Sequence, residues 1–300
     1  SSVTFAGVGL HSGVPIGMTI SPASAEQGIW FRRNDVTDRD AYVAARWDNV
    51  VQTPLCTKIR NSAGTEVSTI EHIMAALVGC GVHNALIDLD GPEVPILDGS
   101  SAYFVDGILA RGVQKLDAPA RIIKILKTVE VRNGQAVARF EPGPAFEIDF
   151  HIDFVDRAIG RQEKSLNMAN GAFVRELCDA RTFCRQSDVD EMRANGLALG
   201  GSFANAVVIA DDQILSPGGL RHSDEAVRHK MLDALGDLAL AGAPIVGRYI
   251  GHRAGHTLTN RLLRKLFATP GAFEMVTCDD FSALRLPGVG VKRADIPAVA

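Results

Sequence analysis

The run Phe146-Glu-Ile-Asp-Phe-His-Ile-Asp-Phe154 carries an apolar residue at every second position without exception. Side chains alternate across a strand, so this run belongs in a sheet with one dry face and one wet face. A one-sided sheet needs a cover, and the sequence offers one. Residues 68–78 place Ile70, Ile73, Met74 and Leu77 at helical spacing, and residues 224–241 do the same with Leu232, Leu235, Leu238 and Leu240.

The strands and helices fall into two similar sets. Residues 3–10, 15–20 and 29–32 are short β-like runs ended by Gly, Ser or Pro, and the helix at 68–78 is followed by a strand at 84–89 and a helix at 101–111. Residues 116–120 break the pattern, and strand-like runs resume at Ile122, so the boundary is placed near residue 118. The second set adds the alternating strand and helices near 172–178, 189–195, 224–241 and 256–267. Two domains are expected, 1–118 and 119–268, of similar strand-then-helix order. A tail, 269–300, is rich in Pro and Gly and expected to be partly mobile.

Bulk properties exclude several functions. A hydrophobic fraction of 46% and a charged fraction of 22% describe a globular chain. Net charge is −4 with cations and anions interspersed, which leaves no basic face for nucleic acid. The five cysteines include no Cys-x-x-Cys pair, so neither a disulfide framework nor a four-thiolate zinc site is expected, and reduced thiols point to the cytoplasm. No run approaches the roughly 20 apolar residues of a membrane span, and no secretion signal opens the chain. A monomer is expected.

Three constellations can carry chemistry. Glu71 and His72 open a helix and project about 100° apart, which suits a base beside a metal ligand. Ser68-x-x-Glu71 is equally a capping box, the more common use of such residues. His229, Asp233 and Asp237 stand at i, i+4 and i+8 of the helix capped by Ser223, one stripe able to hold a cation or simply to face water. Gly255-His256 begins the last helix, where an imidazole needs a carboxylate partner to act as an acid, and Asp237 is the candidate. Lys230 is expected off the ligand stripe. Gly200-Gly-Ser202 reads as a tight turn. His83, His151 and His252 are given no role, and His11 and His222 are placed at a cleft mouth.

Taken together, Thr69-Ile-Glu-His72, the run from Val227 through Arg-His-Lys-Met-Leu-Asp-Ala-Leu-Gly to Asp237, and Gly255-His256 resemble the UDP-3-O-acyl-N-acetylglucosamine deacetylase family. So do Val8-Gly-Leu-His-Ser12, Leu55-Cys-Thr57, Ala180-Arg-Thr-Phe183 and Leu199-Gly-Gly-Ser-Phe203. The resemblance runs from about residue 5 to about 267. It implies two α+β domains with the active site between them, and hydrolysis of the N-acetyl group of an acylated UDP-N-acetylglucosamine, the committed step of lipid A synthesis. It implies a zinc held by His72, His229 and Asp233, with an open position of the catalytic kind. A two-His, one-carboxylate set also suits ferrous iron.

The same resemblance makes Glu71 the general base, His256 the acid with Asp237 as partner, Thr182 an oxyanion donor and Lys230 a contact to the diphosphate. It also implies a βαβ-type insertion at about 184–210 that lines an apolar passage for the acyl chain. Phe183, Met192, Leu197, Ala198, Phe203 and Val207 are the expected lining, with Leu10, Leu55, Gly201 and Ser202 at the substrate. Cys184, Arg185 and His222 depart from the family's usual residues, which bears on acyl length rather than on the reaction. Two rivals remain at this point, another zinc amidohydrolase and a non-catalytic module clamped by a metal. The His-Glu-x-x-His helix of zinc peptidases is absent.

Overall fold

The computed structural model describes residues 1–53 and 55–298. Its first large sheet has the spatial order Val3–Val8, Pro15–Pro22, Ala85–Leu89, Ile29–Arg33, Tyr42–Ala44. All pairings are antiparallel except that of Ala85–Leu89 with Ile29–Arg33. Register sets Ile87 between Ile20 and Phe31, and all three are buried. The second sheet has seven strands: Val129–Asn133, Ala136–Glu141, Ile245–His252, Phe146–Asp153 and Arg161–Asn167 run in that order, with Ile245–His252 parallel to Phe146–Asp153, and Arg121–Ile125 joins off this path in parallel with Ile245–His252. Taken in chain order, these five strands of each sheet read first, second, fifth, third, fourth. The two halves share one topology.

A parallel pair needs a crossover, and helices supply it. They are α1 (Glu71–Gly79), α2 (Ala102–Arg111), α3 (Ala172–Glu176), α4 (Gln186–Ala194), α5 (Glu225–Ala239), α6 (His256–Ala268) and the short α7 (Asp280–Ala283). α1 lies before the fifth strand of the first sheet and α2 after it, and α5 and α6 hold the same places in the second. α1 ends where Gly81 takes φ of 74° and the Val82 amide reaches back to the Leu77 carbonyl at 2.8 Å, a turn that only glycine adopts without strain.

α1 and α5 pack against each other and are largely buried: α1 is apolar beyond Glu71 and His72, whereas α5 buries Glu225, His229, Asp233 and Asp237 along with its apolar residues. Their approach is set by Gly236. A Cβ there would collide with the Glu71 carbonyl, so the crossing needs a residue without one. Around this crossing the inner faces of both sheets form one continuous core, from Ile16, Met18 and Phe31 to Phe140, Phe150 and Tyr249. The alternating strand behaves as its sequence demands: Phe146, Ile148, Phe150 and Ile152 are buried and the intervening residues face out.

Each half also carries an insertion between its fourth strand and its crossover helix. In the first it is a small sheet of Val50–Val51, Lys58–Arg60 and Glu66–Val67. In the second, Phe183–Arg185 and Val207–Ala210 pair in parallel through α4, with Gln213–Ile214 added at the edge. The tail is more structured than its composition suggests. Phe273–Thr277 pairs with Arg121–Ile125, and Arg293 and Asp295 make ion pairs with Asp106 and Arg175. Strand pairing and these contacts hold the segment where local propensity alone offers little; residues 299 and 300 lie outside the described ones.

Candidate active site

The start of α1 differs from the capping box read from sequence. The residue at the cap is Ile70, with no side-chain cap bond, and the preceding Thr69 stands at φ of 57°, a strained conformation for a β-branched residue. Ser68 donates to the Pro92 carbonyl instead, at 3.2 Å. Thr69 is held by Glu93, whose carboxylate takes its hydroxyl at 2.8 Å and the amides of His11 and Ser12 at 3.0 and 2.9 Å. Glu71 is thereby released from the cap. Its Oε2 accepts the Thr57 amide at 3.0 Å.

At the start of α5 the expected cap at Ser223 also fails, since Asp224 occupies the cap position without a side-chain cap bond. Its carboxylate instead accepts from Arg228 at 2.5 Å and Lys164 at 3.3 Å. The stripe beyond it does face something. His229, Asp233 and Asp237 are all buried; the first two face His72 at the start of α1, and Asp237 meets Thr57 and His256.

His229 Nε2 is 3.3 Å and His72 Nε2 3.7 Å from Asp233 Oδ1, and the two imidazoles stand nearly perpendicular with centroids 5.0 Å apart. His229 Nδ1 donates to the Ala180 carbonyl at 2.9 Å, which leaves Nε2 as the lone-pair nitrogen. Two imidazole nitrogens and one carboxylate oxygen thus lie within 4.8 Å of one another, a group that could hold a metal ion. The donor set fits a divalent metal. Beside it, His256 Nε2 lies 3.7 Å from Glu71 Oε1, and its Nδ1 bonds Asp237 Oδ2 at 2.7 Å. Thr57 joins the two carboxylates, its hydroxyl reaching Asp237 Oδ1 at 2.5 Å. Lys230 departs from the expectation that it points away: Nζ reaches Asp233 Oδ2 at 2.8 Å.

Burial and charge act in opposite directions on this pair. Burial, reinforced by Asp233 and Asp237 and moderated by His256, lifts the Glu71 carboxyl to about 7. For His256 burial disfavours the cation, but Asp237 and Glu71 outweigh it and raise the imidazole to about 9. His72 moves the other way. Burial and the neighbouring His229 push it down to about 3, so it stays neutral and able to donate a lone pair. Asp233 is held well below the usual carboxylate range: burial opposes this, and Lys230 and the surrounding imidazoles overcome it.

A cavity of about 700 Å³ lies beside Phe183, whose ring centroid is 6.3 Å from that of His229. Thr182, Phe183, Met192, Leu197, Ala198, Gly201, Ser202 and Phe203 line it, together with Leu10, His11 and Leu55. Val207 does not, contrary to expectation. Strand alternation turns it to the opposite side, against Ile159 and Ile214, and gives its place on the wall to Val208. His222 sits apart from the cavity wall, paired with the buried Asp179 at 2.8 Å, and His151 and His252 stack on the outer sheet face at 4.3 Å. Thr57, Glu93 and the Ala180 carbonyl were given no role by sequence reasoning, though Leu55-Cys-Thr57 and Ala180-Arg-Thr-Phe183 are among the motifs that marked the resemblance.

In this α+β chain a buried two-histidine, one-aspartate cluster that could hold a metal ion stands next to a carboxylate–imidazole pair. The model of the UDP-3-O-acyl N-acetylglycosamine deacetylase family matches residues 1–268. A UDP-3-O-acyl-N-acetylglucosamine deacetylase from Phenylobacterium zucineum is 50% identical over 273 residues, 91% of this chain and 93% of that protein. Deacetylases of the same name from Anaeromyxobacter sp. and Shewanella frigidimarina are 44% and 42% identical, each over 97% of this chain and over 96% and 92% of their own lengths. The chain belongs to this deacetylase family. Among the described residues no helix is long and apolar enough to cross a membrane.

Proposed function

We propose that this protein hydrolyses the N-acetyl group of a UDP-3-O-acyl-N-acetylglucosamine, the committed step of lipid A synthesis, with a zinc ion held by His72, His229 and Asp233. The observation that carries the reading is the convergence of three potential metal-ligating atoms with a separate carboxylate and a separate imidazole, 3.7 Å apart, with Phe183 between His229 and a large cavity. A metal clamp without catalysis has no use for that second pair. Zinc at this position supplies Lewis-acid polarisation of the acetamide carbonyl and of the attacking water.

The chain's own groups supply the rest. Glu71 Oε1 takes the proton of the attacking water as its oxygen bonds the acetyl carbon, and its raised affinity for protons suits a base working near neutral pH. His256, protonated at Nε2 and oriented through Nδ1 by Asp237, gives that proton to the amine as the carbon–nitrogen bond breaks, so acetate and the free amino sugar leave. Thr182 lines the cavity next to the cluster and acts as a donor to the developing oxyanion. Lys230 exchanges its contact with Asp233 for the diphosphate of the nucleotide. The acyl chain occupies the cavity between residues 183–208 and Leu10 and Leu55. In this reading residues 1–118 and 119–268 are the two domains, and the protein works as a cytoplasmic monomer.

The test is metal content and acetate release from an acylated UDP-N-acetylglucosamine, for the unaltered chain and for His229→Ala. One zinc per chain with turnover, both lost in the variant, is the expected result. A variant that keeps metal and turnover would overturn the ligand assignment, and iron recovered from cells in place of zinc would correct the metal.

A further inference from the structure

Residues 178–182 form an irregular strap between α3 and the strand Phe183–Arg185. Its carbonyls are taken in turn by three different parts of the molecule. The Cys178 carbonyl accepts the Ser101 amide at 2.9 Å, that of Asp179 accepts Arg221 Nη1 at 2.8 Å, and that of Ala180 accepts His229 Nδ1 at 2.9 Å. Ser101 in turn donates its hydroxyl to the His72 carbonyl at 2.8 Å. One strap therefore touches the ring of one imidazole of the cluster and, through Ser101, the backbone of the other.

The strap is fastened by a buried ion pair that the mechanism above does not use. Glu225, 1% exposed, accepts the Arg181 amide at 3.0 Å, Arg181 Nε at 2.9 Å, Arg181 Nη2 at 3.1 Å and the Arg221 amide at 2.7 Å. Arg221 is tied across the molecule to Asp98 at 2.9 Å. Glu225 stands one turn before His229 on α5, so adjacent residues of the strap, Ala180 and Arg181, are fixed to the same helix at two points one turn apart. A two-pronged guanidinium–carboxylate contact defines an orientation as well as a distance. Buried pairs of this kind add little net stability, because desolvation offsets the attraction. Its consequence here is register.

We propose that Arg181 and Glu225 are positioning residues for the metal cluster. They hold the Ala180 carbonyl on His229 Nδ1, so that Nε2 stays unprotonated and aimed at the space shared with His72 and Asp233. The inference rests on the reading that these three side chains bind metal. Hydrogen bonds to the far nitrogen of a metal-bound imidazole are worth about 10- to 100-fold in affinity, and the loss of the strap's anchor removes the restraint on this one.

The test titrates metal-free full-length protein with zinc against a chromophoric chelator, and with cobalt by its visible spectrum, for the unaltered chain, Glu225→Gln and Arg181→Lys. Weakening of zinc binding by about 10- to 100-fold and a displaced cobalt spectrum are expected in both variants. Arg181→Lys keeps the charge and loses the fork, so it carries the comparison alone if Glu225→Gln does not fold. A folded variant with lowered melting temperature but zinc affinity within about twofold of the unaltered chain and an unchanged cobalt spectrum would make the pair purely structural and sink the proposal. An unaltered chain that takes up neither metal would instead overturn the metal-site reading itself.

Discussion

The two halves of the molecule share one strand order and place their helices alike, yet they contribute to the site in different ways. α1 offers its first two residues, Glu71 and His72, whereas the equivalent α5 offers His229, Asp233 and Asp237 from successive turns along its length. A helix start projects neighbouring residues in diverging directions, which suits two groups with separate tasks. An i, i+4, i+8 stripe aims its residues at one place, which suits joint ligation. The following helices differ as well: α6 opens with His256, and α2 follows Ser100 and Ser101, which hold backbone rather than offer a titrating group. The insertions diverge most. The first is a compact sheet that brings Thr57 to Glu71 and Asp237, and the second interposes a helix and opens a cavity. The two halves thus differ at their helix ends and insertions, while their core strands share one plan.

The comparison can be broken first at Glu71. If the first half supplies the base and shares the ligands, Glu71→Gln should lower kcat by about 10²- to 10⁴-fold with zinc content unchanged, measured by acetate release and metal analysis. A fall in metal content with kcat would make Glu71 a ligand instead.

The second half's acid is sharpened by pH. With Glu71 needed as the anion and His256 as the cation, kcat/KM should rise as Glu71 deprotonates and fall as His256 does, near 9. A metal held as proposed would draw the lower limb below 7, because a nearby dication favours the carboxylate. Asp237 raises the His256 value, so Asp237→Asn should move the upper limb to lower pH by about 1–3 units. An upper limb that stays in place would assign it to another group.

The contact between the halves is tested by Gly236→Ala. A methyl group there forces α1 from α5, and a loss of about 1–3 kcal/mol of stability is expected in denaturant unfolding, with zinc affinity falling too. Unchanged stability would mean that the crossing is more tolerant than its close approach implies. The smallest effect belongs to the second insertion: Val208→Phe narrows the cavity and should reduce kcat/KM for long acyl chains relative to short ones by about tenfold. Equal loss across chain lengths would remove the cavity from acyl recognition.

Much of this was legible in the chain itself. Alternation in residues 146–154 and heptad-like spacing in 68–78 and 224–241 specify strands and helices with a definite apolar side, because these periods follow from backbone geometry alone. The i, i+4 relation of His229 and Asp233 is likewise local, and its residue types limit the chemistry open to it. What sequence leaves open is any choice that depends on what lies opposite. Ser68 and Glu71 satisfy a capping box on paper, and only Thr57 and the adjacent Pro92 and Glu93, brought in from two other segments, draw Ser68 and Glu71 away from it and hold Thr69 between them. Val207 and Val208 are interchangeable apolar residues until strand pairing decides which one faces the cavity. The protonation tendencies of Glu71 and His256, lifted to about 7 and about 9, arise from burial and from charges some 19 to 185 positions away in the chain. Local periodicity determined the elements. Desolvation and charge at short range, which exist only after the two halves close on each other, decided what the residues at their contact are able to do.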